Sequence, residues 1–171
     1  MTRALPRATE RAGGDRVSAI AELAQRCGRR GHAIAFDLLR DPSEAEDAVQ
    51  EALARAFESY EKLRDRDALD AWFFRTLSRW CLKRLRRRRI SNRIAALIPG
   101  RPSQKPARTE PALVAALATL SPHQTVAVVL RHAHEWSVAE IASHLGVRPN
   151  TVKTHLTRGL ARLRELLGDV Q

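Results

Sequence analysis

The side chains best placed for chemistry in this sequence are guanidiniums and small polar groups. Their chemistry is recognition of a polyanion rather than bond making. From Arg75 to Arg93 stand nine basic residues and no acidic one, so a helix through this stretch presents positive charge without a neutralising partner of its own. Phosphate is the natural counter-charge. Leu69, Phe73, Thr76, Leu77 and Trp80 recur at helical spacing as its expected buried side, with Arg75, Ser78, Arg79, Leu82 and Arg86 expected opposite. Trp72 falls at the edge between the two, where an indole could stack on an unpaired base, although such a tryptophan more often belongs to a core. Arg86 to Arg89 alone is weak evidence, because basic runs also serve as targeting signals. On an amphipathic helix the run gains weight.

A second recognition surface is expected near the C-terminus. Pro149 opens a helix in which Val152, Leu156, Gly159, Leu160 and Leu163 form the packing stripe, while Asn150, Thr151, Thr154, Thr157 and Arg158 point outward. These donors suit base edges in a major groove, and a helix N-terminus favours a phosphate. The preceding helix starts at Ser137 with Glu140 as capping-box partner and stops at Gly146, a helix-turn-helix spacing. A plain three-helix bundle is the weaker reading, since the exposed face carries no acid.

A third surface has the opposite sign. Asp41 as N-cap and Pro42 at the first helical position begin a helix, with Glu44 placed to complete a capping box. Ala45, Val49, Ala52, Leu53, Ala56 and Tyr60 then form one stripe, with Glu44, Asp47, Glu51 and Glu58 opposite. Taken by themselves these acids are either an ordinary solvated face or a docking surface for a basic partner.

Catalysis finds little support. His132 and His134 lie two apart and do not share a helix face, no metal-ligand spacing occurs, and no nucleophile stands beside a base. Cys27 and Cys81 fall on apolar sides of helical patterns and read as reduced core thiols.

The elements that position these groups are helices. Period-two runs are missing while apolar residues recur at three and four, so an all-α protein is expected. Pro99, Pro102, Pro106 and Pro111 interrupt the chain between Ile90 and Ala112, dividing it into two small helical domains joined by a proline-rich linker. Fully extended, that linker would reach on the order of 70 Å. Ser121, Pro122 and Gln124 start a further helix whose Val126, Val129, Leu130 and Ala133 face one way. The 171 residues carry 30 Lys and Arg against 19 Asp and Glu, a formal charge of +11, consistent with a nucleic-acid partner. No apolar run approaches a membrane span, and the first sixteen residues lack a signal-peptide core, which leads to a cytoplasmic expectation.

From about Val17 to Leu167 the sequence resembles the extracytoplasmic-function sigma factors of bacterial RNA polymerase. DPSEAEDAVQEALARAF is similar to that family's polymerase-docking helix in region 2, AWFFRTLSRWCLKRLRRRR to its -10-reading helix, and the stretch from LSPHQTVAVVL to LARLREL to region 4. The resemblance implies region 2 over residues 17–89, a linker over 90–112 and region 4 over 113–171, with residues 1–16 unassigned. It implies that Glu44, Asp47, Gln50 and Glu51 meet core RNA polymerase. Trp72, Arg75, Ser78, Arg79, Lys83 and Arg86 would meet the -10 element of promoter DNA. Arg148, Asn150, Thr151, Lys153, Thr154 and Arg158 would read the -35 element. An anti-sigma protein would cover the acidic and basic faces until a stimulus releases them; no cofactor, metal or small-molecule substrate is implied.

Some positions depart from the family. Leu63, Arg64, Asp65 and Arg66 replace the usual base-capturing loop, Ala71 stands where threonine is common, and Arg148 and Asn150 differ around the recognition-helix start. The competing functions are a helix-turn-helix regulator that binds duplex DNA without polymerase, and an interaction module whose basic helix binds nucleic acid nonspecifically. Neither explains both halves together.

Overall fold

The computed structural model describes residues 7–63, 68–96 and 112–168, with side chains described for 14–63, 68–94 and 112–168. The expected base-capturing residues Arg64, Asp65 and Arg66, and the prolines of the linker, lie outside the described residues. Those described form α1 (Arg7–Leu39), α2 (Pro42–Ser59), a short 3-10 turn (Tyr60–Lys62), α3 (Leu69–Ala96), α4 (Ala112–Thr119), α5 (Pro122–His132), α6 (Val138–Leu145) and α7 (Pro149–Leu167). The all-α expectation holds, with no strand among them.

Local chemistry sets the boundaries. Asp41 accepts the Glu44 amide at 2.9 Å and begins α2 with Pro42 behind it. The Glu44 side chain does not return to complete a capping box; it is drawn across to α3. Complete capping boxes do form at Ser121 with Gln124 and at Ser137 with Glu140. Gly146 ends α6 with φ 69°, and the Val147 amide donates to Ala142 O at 3.0 Å, which turns the chain into α7 within three residues. Arg40 and Glu135 also adopt positive φ, at 54° and 60°, and make the abrupt reversals after α1 and α5.

One expectation about extent needs correction. The helix expected to yield to a linker at Ile90 continues to Ala96, because the first proline comes only at position 99 and nothing earlier removes a backbone donor. Residues 7–16, which the sequence leaves unassigned, form the start of α1.

The first three helices pack as one bundle around Leu23, Ile34, Leu39, Ala52, Phe73, Leu77 and Cys81. The second core gathers Val126, Leu130, Ile141 and Val152 where α5, α6 and α7 cross. Gly159 permits that crossing, since a Cβ there would lie 2.9 Å from Val128 Cγ2. Ala133, expected on the same inward face as Val126, is exposed at the end of α5. Cys27 and Cys81 are buried free thiols, and burial pushes them up to about 11 and about 12 respectively, so both stay protonated.

The halves also pack on one another, through α6 and α5 against α3 and through α5 against α1. Phe74 of α3 meets Trp136 edge to face with centroids 5.8 Å apart, and His134 Nε2 lies 3.1 Å from Asp37 Oδ2 at the end of α1.

Candidate nucleic-acid interface

The basic helix α3 is divided among three tasks. Arg84 and Arg88 turn toward α2, where their nitrogens lie 2.8 and 2.7 Å from the two oxygens of Glu44. Arg88 also donates to Leu39 O at 2.6 Å and so satisfies a carbonyl left free where α1 stops. Burial alone would raise the Glu44 carboxyl, yet the two guanidiniums outweigh it and hold the group below its ordinary range. The arginine run is therefore partly neutralised, contrary to the expectation from its own sequence, because the acid comes from another helix. Glu44 itself is not on the outer face with Asp47, which is exposed; its side chain retains only 14% of its accessibility.

A second group lines an open groove of about 820 Å³ between α2 and α3, where Trp72, Trp80, Arg75, Arg79, Lys83 and Arg87 meet Glu51 and Glu58. Two half-buried indoles beside cationic side chains make a surface on which unpaired bases can stack while phosphates pair with guanidiniums. Trp80 and Arg87 were not among the expected contacts. The helical spacing of Trp80 points to the core, but it is only partly buried, and Arg87 is indistinguishable in sequence from its arginine neighbours.

Ser78 is a correction. It is fully buried, its hydroxyl has no hydrogen-bond partner among the described residues, and Leu82 beside it is 6% exposed, so neither faces solvent. The expectation assumed that α3 buries one stripe only. Instead α1 and α2 cover one side while α5 and α6 cover part of another.

The third group points at the second half. Arg75 Nη2 donates to Ser143 Oγ at 3.2 Å, Arg79 Nε donates to His144 O at 3.2 Å, and Arg86 Nη2 lies 2.8 Å from His123 Nε2. Arg89 reaches Leu120 O at 3.4 Å. His123 in turn stacks on His155 with centroids 5.2 Å apart. Burial lowers His123, and Arg86 and His155 lower it further; burial and Arg158 lower His155.

The exposed face of α7 is free by comparison. Arg148, Asn150, Thr151, Lys153, Thr154 and Arg158 are all exposed, and Val152 and Leu156 beneath them are buried. Only Thr154 shows a side-chain bond here, to Asn150 O at 2.9 Å, which leaves the donors of this face available. On α2, Asp47 and Gln50 are exposed, with Gln50 bonded to Glu46, and Glu51 is paired with Arg55 at 2.7 Å.

Residues 23–90 match the model of Sigma-70 region 2, and residues 111–163 match that of Sigma-70, region 4. The chain is 35% identical over 133 residues to the RNA polymerase sigma-E factor of Streptomyces coelicolor, covering 76% of this chain and 75% of that one. It is 35% identical over 158 residues to the ECF RNA polymerase sigma factor SigM of Mycobacterium tuberculosis, covering 91% and 80%. In fold it is similar to CnrH, solved in complex with the cytosolic domain of CnrY, with a TM-score of 0.64 at 21% identity over 95% of this chain and 96% of that one. The sigma factor RpoE of Bartonella quintana, solved in complex with the anti-sigma factor NepR, gives 0.59 at 24% over 92% and 97%. With both regions matched in order along one chain, and with relatives spanned over most of their length, the chain belongs to the extracytoplasmic-function sigma factors of the sigma-70 family and directs RNA polymerase in promoter recognition and transcription initiation.

Proposed function

We propose a division of labour among the three surfaces. Asp47, Gln50 and Glu51 dock the chain on a basic surface of core polymerase, with Glu44 fixing the start of their helix through Arg84 and Arg88. Trp72, Arg75, Arg79, Lys83 and Arg86 hold the -10 element as its strands separate. Arg148, Asn150, Thr151, Lys153, Thr154 and Arg158 read the -35 duplex. The protein contributes binding and not a chemical step, and it works in the cytoplasm with the polymerase.

The observation that carries the -10 assignment is the groove between α2 and α3, with Trp72 and Trp80 half-buried among Arg75, Arg79 and Lys83. Unstacking a base step costs a few kcal/mol, which stacking on an indole at about 1–3 kcal/mol per base can offset. An anti-sigma protein is a further proposed partner. Its support is that RpoE of Bartonella quintana, similar in fold, is bound to the anti-sigma factor NepR, and that a groove of about 560 Å³ between the halves combines Leu38, Leu85 and Leu117 with Arg89 and Arg93. An acidic amphipathic segment has the matching chemistry.

Charge reversal tests the docking surface. Asp47→Lys with Glu51→Lys should weaken binding to core polymerase at least about tenfold without loss of folding. Unchanged affinity would remove the docking role.

A further inference from the structure

We propose that Ile90 and Ile94, on the two turns of α3 that run past its own helical bundle, enter the major groove of the duplex directly upstream of the -10 element and select thymine there through its C5 methyl group. The inference rests on the assignment of the Trp72 to Lys83 face of α3 to the -10 element.

The end of α3 lies outside the packing of the first three helices. Arg88 bonds both to Leu39 O, where α1 stops, and to Glu44 in the first turn of α2, so α1 ends and α2 begins level with Arg88. Beyond that level the helix continues to Ala96, and on it Ile90 and Ile94 keep 58% and 55% of their accessibility. Four residues apart, the two side chains stand one above the other on a single face. That face continues the one assigned to the -10 element. Ile90 comes eighteen residues, about five full turns, after Trp72, and the exposed Lys83 and Arg87 fall between them within about 60° of the same line. Asn92 and Arg93 turn elsewhere, lining the groove toward α4 with Val114 and Leu117.

Charge identifies the occupant of this face as DNA. Asp70 is the last acid of α3, while Arg87 and Arg93 are exposed on either side of the isoleucines, so the surroundings attract phosphate. These guanidiniums position a backbone without reading its sequence. From Lys83 to Ile94 the helix rises about 16 Å, the length of roughly five base pairs. A helix that holds unpaired bases near Trp72 therefore carries its isoleucines over paired DNA. The half that reads the -35 element follows α3 in the chain, which sets this end of the helix on the upstream side. Isoleucine has no donor or acceptor to offer a base edge. Its complement in the major groove is the thymine methyl, which cytosine and the purines lack.

The test uses the full chain in holoenzyme on a promoter library randomised in the duplex between the two elements. The wild type should enrich thymine at one or two neighbouring positions within roughly six base pairs upstream of the -10 element. The chain carrying Ile90→Ser and Ile94→Ser should lose that enrichment with unchanged circular dichroism, since both sites are exposed. Ile90→Val with Ile94→Val, which retains branched methyl groups, should keep it. Replacing the selected thymines by deoxyuridine removes only the C5 methyl; it should lower wild-type initiation about fourfold per methyl lost and leave the serine variant unchanged. Absence of thymine enrichment, or an equal loss on deoxyuridine in wild type and serine variant, would overturn the proposal. So would a serine variant whose defect is weaker binding to core polymerase, because the isoleucines would then face protein. Arg79→Ala leaving initiation intact on the same templates would instead reject the -10 assignment on which the proposal rests.

Discussion

Glu44, the third residue of α2, and Arg84, forty positions later in α3, are joined at 2.8 Å, with Arg88 completing the clamp at 2.7 Å. The pair converts part of an apparently free basic run into a fastening between two helices. It also separates Glu44 from its acidic neighbours Glu46 and Asp47, which are exposed.

Removing that carboxylate should therefore cost stability before it costs recognition. Glu44→Gln leaves two guanidiniums beside a neutral amide, and a loss of about 1–3 kcal/mol is expected for a partly buried charge-assisted pair. Urea unfolding of the variant measures it. Because the folded-state carboxyl is lowered, the contribution is present above the ordinary glutamate value and is lost as pH falls through the folded one. The gap between wild type and variant should accordingly close in acid.

The interface between the halves should respond to pH in the neighbouring window. Burial lowers His144 first, with Arg75 and Arg79 adding to it while the Glu140 carbonyl and carboxylate oppose; His123 and His155 are lowered in the same way beside Arg86 and Arg158. An imidazole lowered where the halves pack binds fewer protons there than when the halves are apart, so the packing loses stability as pH falls below the ordinary value near 6.5. Fluorophores at Glu46→Cys and Thr157→Cys, exposed on α2 and α7 while the native cysteines are buried, should report a widening of the Glu46–Thr157 distance between about pH 7 and 5. Invariance of that distance in a chain carrying His123→Gln, His144→Gln and His155→Gln would confirm the source.

Gly146 combines a backbone requirement with a close approach. Its φ of 69° is strained for a residue with a Cβ, and that Cβ would press on Arg79. Gly146→Ala should destabilise the helix-turn-helix by about 1 kcal/mol, whereas Gly146→Asn, which tolerates the left-handed region better, should cost less. Thermal unfolding of the two variants separates strain from contact.

Much of this architecture is written locally. Asp41, Ser121, Ser137 and Gly146 act on amides and carbonyls within a few residues, and each bounds its helix as its type requires. The exposed donors of α7 follow equally from one helical stripe. What escaped reading is non-local. Ser78 and Leu82 look outward on a helix packed from one side, but α3 is packed from two. Arg75 with Ser143 and Glu44 with Arg84 join residues 68 and 40 positions apart, and no periodicity within either helix encodes such a partner. Trp80 shares its spacing with core residues and differs from them only in what α2 leaves uncovered.

Transcription in vitro with purified core polymerase addresses the central claim most directly, using promoter fragments in duplex form and with the -10 region already unpaired. The chain should confer specific initiation on core polymerase. Arg79→Ala and Arg158→Ala should each lower it roughly tenfold to a hundredfold on duplex templates. Unpairing the -10 region should restore much of the loss in Arg79→Ala and little of that in Arg158→Ala. Specific binding of duplex promoters by the chain alone, with no initiation when core polymerase is added, would contradict the account.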